Sequence, residues 1–192
     1  GSPGWSVDDY VEAVLDMMRR WKLHRVSLLG HSFGGRIAIK LASRHPEKVS
    51  RLILVASAGI KRPPSLRMRI SSFSAVLGKS LFSLPYLRPL SASARRLLYG
   101  FSGSHDYRKA GENRETFLKV ISEDLRPYLS SIQASTLIVW GDRDRMTPVA
   151  DARIMEKEIS HSTLKIFPGV RHGVHLEVPE KLVRSVSRFL NS

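Results

Sequence analysis

The stretch that most constrains this chain runs from Val26 to Gly35, Val-Ser-Leu-Leu-Gly-His-Ser-Phe-Gly-Gly. Apolar residues lead into Gly30, and beyond Ser32 two glycines precede Ile37, Ala38, Ile39 and Leu41, an apolar set that suits a helix packed on a sheet. The pattern predicts a strand, a sharp turn and a helix. Gly30 and Gly34 stand two residues before and two residues after Ser32. A serine on so tight a turn sits in a strained backbone region, pushed out beyond the strand end, and a chain passing that close should leave no room for a Cβ at either glycine. The helix start then offers the Phe33 N–H, and the positive end of a dipole, to a developing oxyanion.

Composition narrows the alternatives. A chain of 192 residues with 42% hydrophobic content has the length of one ordinary domain and enough apolar material for a core. It has no cysteine, which excludes disulfides, thiolate metal sites and a cysteine nucleophile. The net charge of +14 would attract nucleic acid, anionic membrane or acidic substrates. Neither zinc-finger spacing nor an aromatic-basic RNP-like stretch is present, so nucleic acid is not an expected partner and the charge reads as solvated surface. No His-x-x-x-His pair or carboxylate cluster stands in the sequence, and neither metal nor cofactor is expected. An apolar run of eighteen residues and a charged-then-apolar leader are both missing from the chain, which leaves the compartment open with the cytoplasm as default.

Along the chain, strand and helix patterns alternate. Residues 7–21 read as an amphipathic helix with Val11, Val14, Leu15 and Met18 on one face, and Ser6 with Asp9 makes a capping box. Arg25 to Leu29 is the first strand, and the helix after Ser32 ends near Arg44 and His45, before Pro46. Val49 to Ser57 is nearly continuous in apolar residues from Leu52 to Ala56, as suits a strand covered on both faces of a parallel sheet. Thr136 to Trp140 and Ser162 to Phe167 are the third and fourth strands. Between those two, Thr147 reads as an N-cap and Pro148 as the first residue of a helix over 148–159. A last helix starts at Pro179 and is expected to bury Leu182, Val183, Val186, Phe189 and Leu190.

The pattern changes over residues 61–131, which carry prolines at 63, 64, 85 and 89 and helical pieces around 66–77, 90–99 and 113–125. Thirteen Lys and Arg stand there against five Asp and Glu, so more than half of the positive charge sits in this insertion. The chain therefore divides into a core of residues 1–60 and 132–192, and an inserted helical segment of residues 61–131.

Gly30-His31-Ser32-Phe33-Gly34 fits G-x-S-x-G on a strand-turn-helix and resembles the nucleophile elbow of the α/β-hydrolase superfamily. The resemblance covers nearly the whole chain. It implies an α/β fold with a mostly parallel sheet, about four strands of it here, flanked by helices, with residues 61–131 as a helical cap over the site. It also implies an acid and then a histidine after the serine. The acid commonly follows a strand in a Gly-x-x-Asp turn, which in Gly141-Asp142-Arg143-Asp144 selects Asp144, with Asp142 as rival and as the natural turn residue. The histidine comes from the loop after the last strand, which points to His172, five residues before Glu177-Val178-Pro179-Glu180; His175 is the rival and is expected to pack under the loop. Arg171 stands where the resemblance leads one to expect a small residue, and either influences His172 or points to solvent. His31 lies inside the elbow, on the side away from the serine hydroxyl.

The implied chemistry is a serine hydrolase acting on a small-molecule ester, or on a carbon–carbon bond activated by a neighbouring carbonyl. Ser32 is the nucleophile, His172 the base, Asp144 its orienting acid and Phe33 an oxyanion donor. Acyl transfer to another nucleophile, or a catalytically silent binding protein on the same fold, are the alternatives. Residues 66–90 also mix cationic and apolar side chains as a surface for anionic lipid does, although a cap helix closing the pocket explains the same pattern. Complete members carry further strands ahead of the one that feeds the serine, and a second oxyanion donor among them. The resemblance therefore implies an N-terminally truncated chain, poorly soluble or inactive by itself, with its first strand at an open sheet edge. The oligomeric state is not legible.

Overall fold

The computed structural model describes residues 4–61 and 114–192. Four strands, β1 (Val26–His31), β2 (Val49–Val55), β3 (Ser135–Gly141) and β4 (Ser162–Phe167), form one sheet in the order β1-β2-β3-β4, every pair parallel. The described helices are α1 (Val7–Arg20), α2 (Phe33–Arg44), α3 (Arg114–Ser122), α4 (Val149–Glu158), the single turn α5 (Val174–Glu177) and α6 (Pro179–Leu190). The chain separates into two compact units, residues 1–61 with 118–192 and residues 62–117; the sheet belongs to the first. The cap expected over residues 61–131, including its helical pieces at 66–77 and 90–99 and the lipid surface at 66–90, lies largely outside the described residues.

The apolar run in β2 has the cause that a doubly covered strand requires. Leu52 and Leu54 join Ile138 and Trp140 in one core layer with α1, α2 and α4, whereas Ile53 and Val55 join Leu137 and Val139 in a second layer beneath α5 and α6. Successive side chains thus enter opposite cores, and every position must be apolar. β1 is an edge strand with one partner among the described residues, and Leu29 is half exposed.

A local signal accounts for the start of α1. Ser6 caps α1 through the expected capping box, its hydroxyl accepting from Asp9 N while Asp9 accepts from Ser6 N. Those bonds, the side-chain bond to Ser6 first, hold the Asp9 carboxyl below its ordinary pKa. Two expectations need correction. The helix of 148–159 starts at Val149, with Pro148 at the cap position and no side-chain cap; the Thr147 hydroxyl is turned inward instead. In α6, Leu182 is buried and Val186 and Phe189 are partly covered, but Val183 is 63% and Leu190 39% exposed. The apolar stripe on α6 is wider than the sheet surface available to cover it.

α2 carries the least expected burial. Lys40 is 1% exposed and ion-paired with Asp8, at 2.8 Å, and with Glu123. Burial alone would push its ammonium pKa down, yet the two carboxylates outweigh that effect and hold it above the usual lysine value. Arg36, also buried, donates to the Glu123 carbonyl; its desolvation outweighs the acidic neighbours and lowers its pKa. These cations fasten α1 and the segment after α3 to the helix that follows Ser32.

The glycines around Ser32 do not act as the motif led us to expect. A Cβ on Gly30 would meet the Gly34 carbonyl oxygen at 2.6 Å, and one on Gly35 would meet Ser57 Oγ at 1.9 Å, whereas a Cβ on Gly34 has nothing within 4 Å among the described residues. The glycines forced by close neighbours are therefore Gly30 and Gly35, and among the described residues nothing bars a side chain at Gly34. Urea denaturation should show Gly30→Ala and Gly35→Ala destabilised by roughly 1–3 kcal/mol or more. Gly34→Ala, inside α2, should be unchanged or more stable by up to about 1 kcal/mol.

Candidate active site

Parallel register brings the ends of all four strands to one rim. Gly30 pairs with Leu54, His31 with Val55, Val55 with Val139 and Gly141 with Phe167, so the loops after β1, β2, β3 and β4 leave the sheet side by side. Ser32 occupies the first of these turns with φ 51°, a left-handed conformation costly for a residue with a Cβ. Backbone bonds hold it there: Ser32 N donates to Val55 O at 3.2 Å, while Gly35 N and Ala58 N donate to Ser32 O at 3.1 and 2.9 Å.

The expected acid and base meet the serine. His172 Nε2 lies 3.0 Å from Ser32 Oγ, and His172 Nδ1 lies 2.8 Å from Asp144 Oδ2. The Asp144 side chain is fully buried and the His172 side chain 17% exposed. Asp144 Oδ1 accepts from Met146 N at 2.8 Å and Thr147 N at 3.0 Å, and Oδ2 accepts from Thr147 Oγ1 at 2.8 Å. With Nδ1–H donated to the carboxylate, Nε2 is left as an acceptor facing the serine hydroxyl. Phe33 opens α2, so its N–H is among the donors that the helical ladder leaves unfilled. Its ring packs edge-on against Tyr10 at 4.9 Å, and Tyr10 against Trp5 at the same distance.

The rivals lie elsewhere. Asp142 is exposed and its Oδ1 accepts from Gly169 N at 2.7 Å, tying the turn after β3 to the turn after β4. His175 is exposed rather than packed under the loop, and its ring meets His31 at 4.5 Å. Arg171 points outward, 76% exposed, with its Nε 3.5 Å from Glu177 Oε1. A groove of about 960 Å³ opens beside His172, lined by residues that include Asp144, Arg145, Met146 and Gly173. Among the described residues no group of His, Asp and Glu has the arrangement of a metal site.

Two contacts were not anticipated from the sequence. Thr147, read as a helix cap, has its hydroxyl against Asp144. His31, read only as facing away from the hydroxyl, has Nε2 3.2 Å from the His172 carbonyl oxygen, so the turn meets the backbone of His172 as well as its side chain. No spacing signal separates these roles from the ordinary uses of a threonine before a helix or a histidine in a turn.

The family profile described as serine aminopeptidase, S33 matches residues 4–179. The chain belongs to this family, within the α/β-hydrolase superfamily. An uncharacterised protein of Mycobacterium tuberculosis is 25% identical over 98% of this chain and 62% of its own length. A 2-hydroxymuconate semialdehyde hydrolase of Pseudomonas putida is 26% identical over 94% of this chain and 68% of its own. Among solved structures, a membrane phospholipase A superposes with TM-score 0.71 at 26% identity, over 99% of this chain and 64% of that one. The chain thus spans 62% of the length of the first of these relatives. The loops that carry Ser32, Asp144 and His172 share one rim because all follow parallel strands.

His31 supplies a pH test of this rim. Burial outweighs its bond to the His172 carbonyl and holds its pKa below the usual 6.5, so as pH falls the unfolded chain takes up the proton first. The stability it contributes is present above pH 6.5 and is lost as pH falls through the depressed folded value. His31→Gln keeps a donor for the carbonyl but cannot ionise. Melting temperatures compared between about pH 7.5 and 5.5 should fall less steeply for this variant than for the parent.

Proposed function

We propose that this chain carries the catalytic centre of a serine hydrolase that cleaves a small-molecule ester, or a carbon–carbon bond next to a carbonyl, through an acyl-enzyme. The observation that carries the reading is the unbroken hydrogen-bond line from Ser32 Oγ through His172 to the buried Asp144, at 3.0 and 2.8 Å, on a strained turn. A methyl ester esterase and a 2-hydroxymuconate semialdehyde hydrolase are among the relatives, which supports a small-molecule ester or carbonyl compound over the peptide bond that the family's description implies.

In this mechanism His172 Nε2 takes the proton of Ser32 Oγ as the oxygen bonds to the substrate carbonyl carbon. Asp144 stabilises the imidazolium and keeps Nδ1 protonated. The oxyanion receives the Phe33 N–H and the positive end of α2. Collapse of the tetrahedral adduct breaks the bond to the leaving group, which takes the proton from Nε2. Water then adds to the acyl-enzyme with His172 as base, releasing the acid and restoring Ser32 Oγ–H. Another hydroxyl or amine in place of water would turn the same steps into acyl transfer.

The test is covalent labelling. A fluorophosphonate should modify the protein at Ser32 and at no other serine, as read by mass spectrometry of the digest, and Ser32→Ala should abolish both labelling and ester hydrolysis. Asp144→Asn, which removes the acceptor for Nδ1–H without changing shape, should lower kcat by about 10⁴. Unlabelled Ser32 in the folded full-length protein would refute the assignment and leave the silent binding fold in its place.

A further inference from the structure

The Thr147 hydroxyl stands at the junction of three loops. Its Oγ1 lies 2.8 Å from Asp144 Oδ2, 3.1 Å from the Ala56 carbonyl oxygen and 3.2 Å from His172 Nδ1. The residue is 9% exposed and its backbone is held at both ends: N donates to Asp144 Oδ1 at 3.0 Å, and the carbonyl accepts from Trp140 Nε1 at 2.6 Å. A hydroxyl has one proton to give. Two oxygens 2.8 Å apart, one of them a carboxylate, require that proton between them, so Thr147 donates to Asp144 and shares the proton with the Ala56 carbonyl oxygen in a longer three-centre contact. A lone pair of Oγ1 is then left facing the Nδ1–H of His172.

The distribution of donors on Asp144 gives the hydroxyl its importance. Both backbone N–H groups, from Met146 and Thr147, go to Oδ1. Oδ2, the oxygen that meets His172, has one other partner among the described residues, the Thr147 hydroxyl. The third contact ties the acid to the β2 end of the site. Ala56 is buried with φ 43°, its N–H donates to Val139 O, and two residues on Ala58 N donates to Ser32 O. One β-branched side chain, stiff about χ1, thus spans from the loop that grips Ser32 to the oxygen that orients the base.

We propose that Thr147 is a positioning residue for hydrolysis, whose hydroxyl fixes Asp144 Oδ2 and offers the His172 Nδ1–H a second acceptor, so that Nε2 stays aimed at Ser32. This rests on the hydrolase reading above. Without the hydroxyl the carboxylate is pinned through one oxygen only and turns about that anchor. The imidazole follows it, and proton transfer from Ser32 slows while the substrate surfaces are untouched.

Thr147→Val keeps volume and branching and puts a methyl in place of the hydroxyl; Thr147→Ala removes the hydroxyl and the methyl together; Thr147→Ser keeps the hydroxyl and loses only the methyl. With p-nitrophenyl acetate, both hydroxyl-free variants should lose kcat by about tenfold with KM within about twofold of the parent. Fluorophosphonate labelling of Ser32 should slow by the same factor. Thr147→Ser should recover to within about threefold, which a purely structural role for the threonine would not produce. Undiminished labelling in the valine or alanine variant, or a serine variant as slow as either, overturns the role of Thr147 alone. All variants are compared in the full-length protein; failure of that parent to label overturns the hydrolase reading itself, so the two results are distinct.

Discussion

The organisation of this rim depends on how closely the chain leaving β2 passes the turn at Ser32. Ala58 N donates to Ser32 O, Ser32 N donates to Val55 O, and Ser57 Oγ occupies the space that a side chain at Gly35 would need. Two residues with a Cβ, Ser32 and Ala56, stand in the left-handed region at the ends of neighbouring strands. Each such residue costs on the order of 1–3 kcal/mol. The backbone bonds between the two turns offset that strain and make it mutual, because neither turn can relax without breaking the other's contacts. Strain at Ser32 is what lifts its hydroxyl clear of the strand toward His172.

Parallel register does the rest of the alignment. Because β1 to β4 run in one direction with matched ends, loops far apart in sequence emerge as neighbours, and short side chains suffice to link them. Asp142 joins the turns after β3 and β4, Thr147 joins the loop after β3 to Ala56, and His31 joins the elbow to the backbone of His172. The acid is thereby oriented by a shell of fixed donors rather than by the histidine alone. Such preorganisation matters most for a fully buried carboxylate, whose charge is costly to bury without hydrogen-bond donors.

The basic character of the chain has a structural share as well as a solvated one. Lys40 and Arg36 lie on the helix that begins at the serine, yet they are buried, and Asp8 and Glu123 reach them from α1 and from the segment after α3. Breaking a buried pair leaves an uncompensated charge, so these contacts specify where the flanking segments sit even if their net stabilisation is small. Among the described residues no buried side-chain polar atom lacks a partner.

Much of this was legible in the residues themselves. Period and caps mark α1, and its capping box depends on two side chains three positions apart. The unbroken apolar run of β2 announces a strand covered on both faces, and the strand, turn and helix around Ser32 can be read from glycine placement and flanking pattern. These features are local, decided by neighbours within one turn or one strand. What the tertiary structure alone decided is which atoms meet. Gly35, not Gly34, carries the steric demand because Ser57 arrives from another strand; the Thr147 hydroxyl turns from helix cap to Asp144 because the acid lies within reach in the folded loop. Val183 and Leu190 stay exposed because coverage depends on the width of the sheet beneath them. Pattern determines the element and its apolar side, but a contact between distant residues exists only once register has set the distance between them.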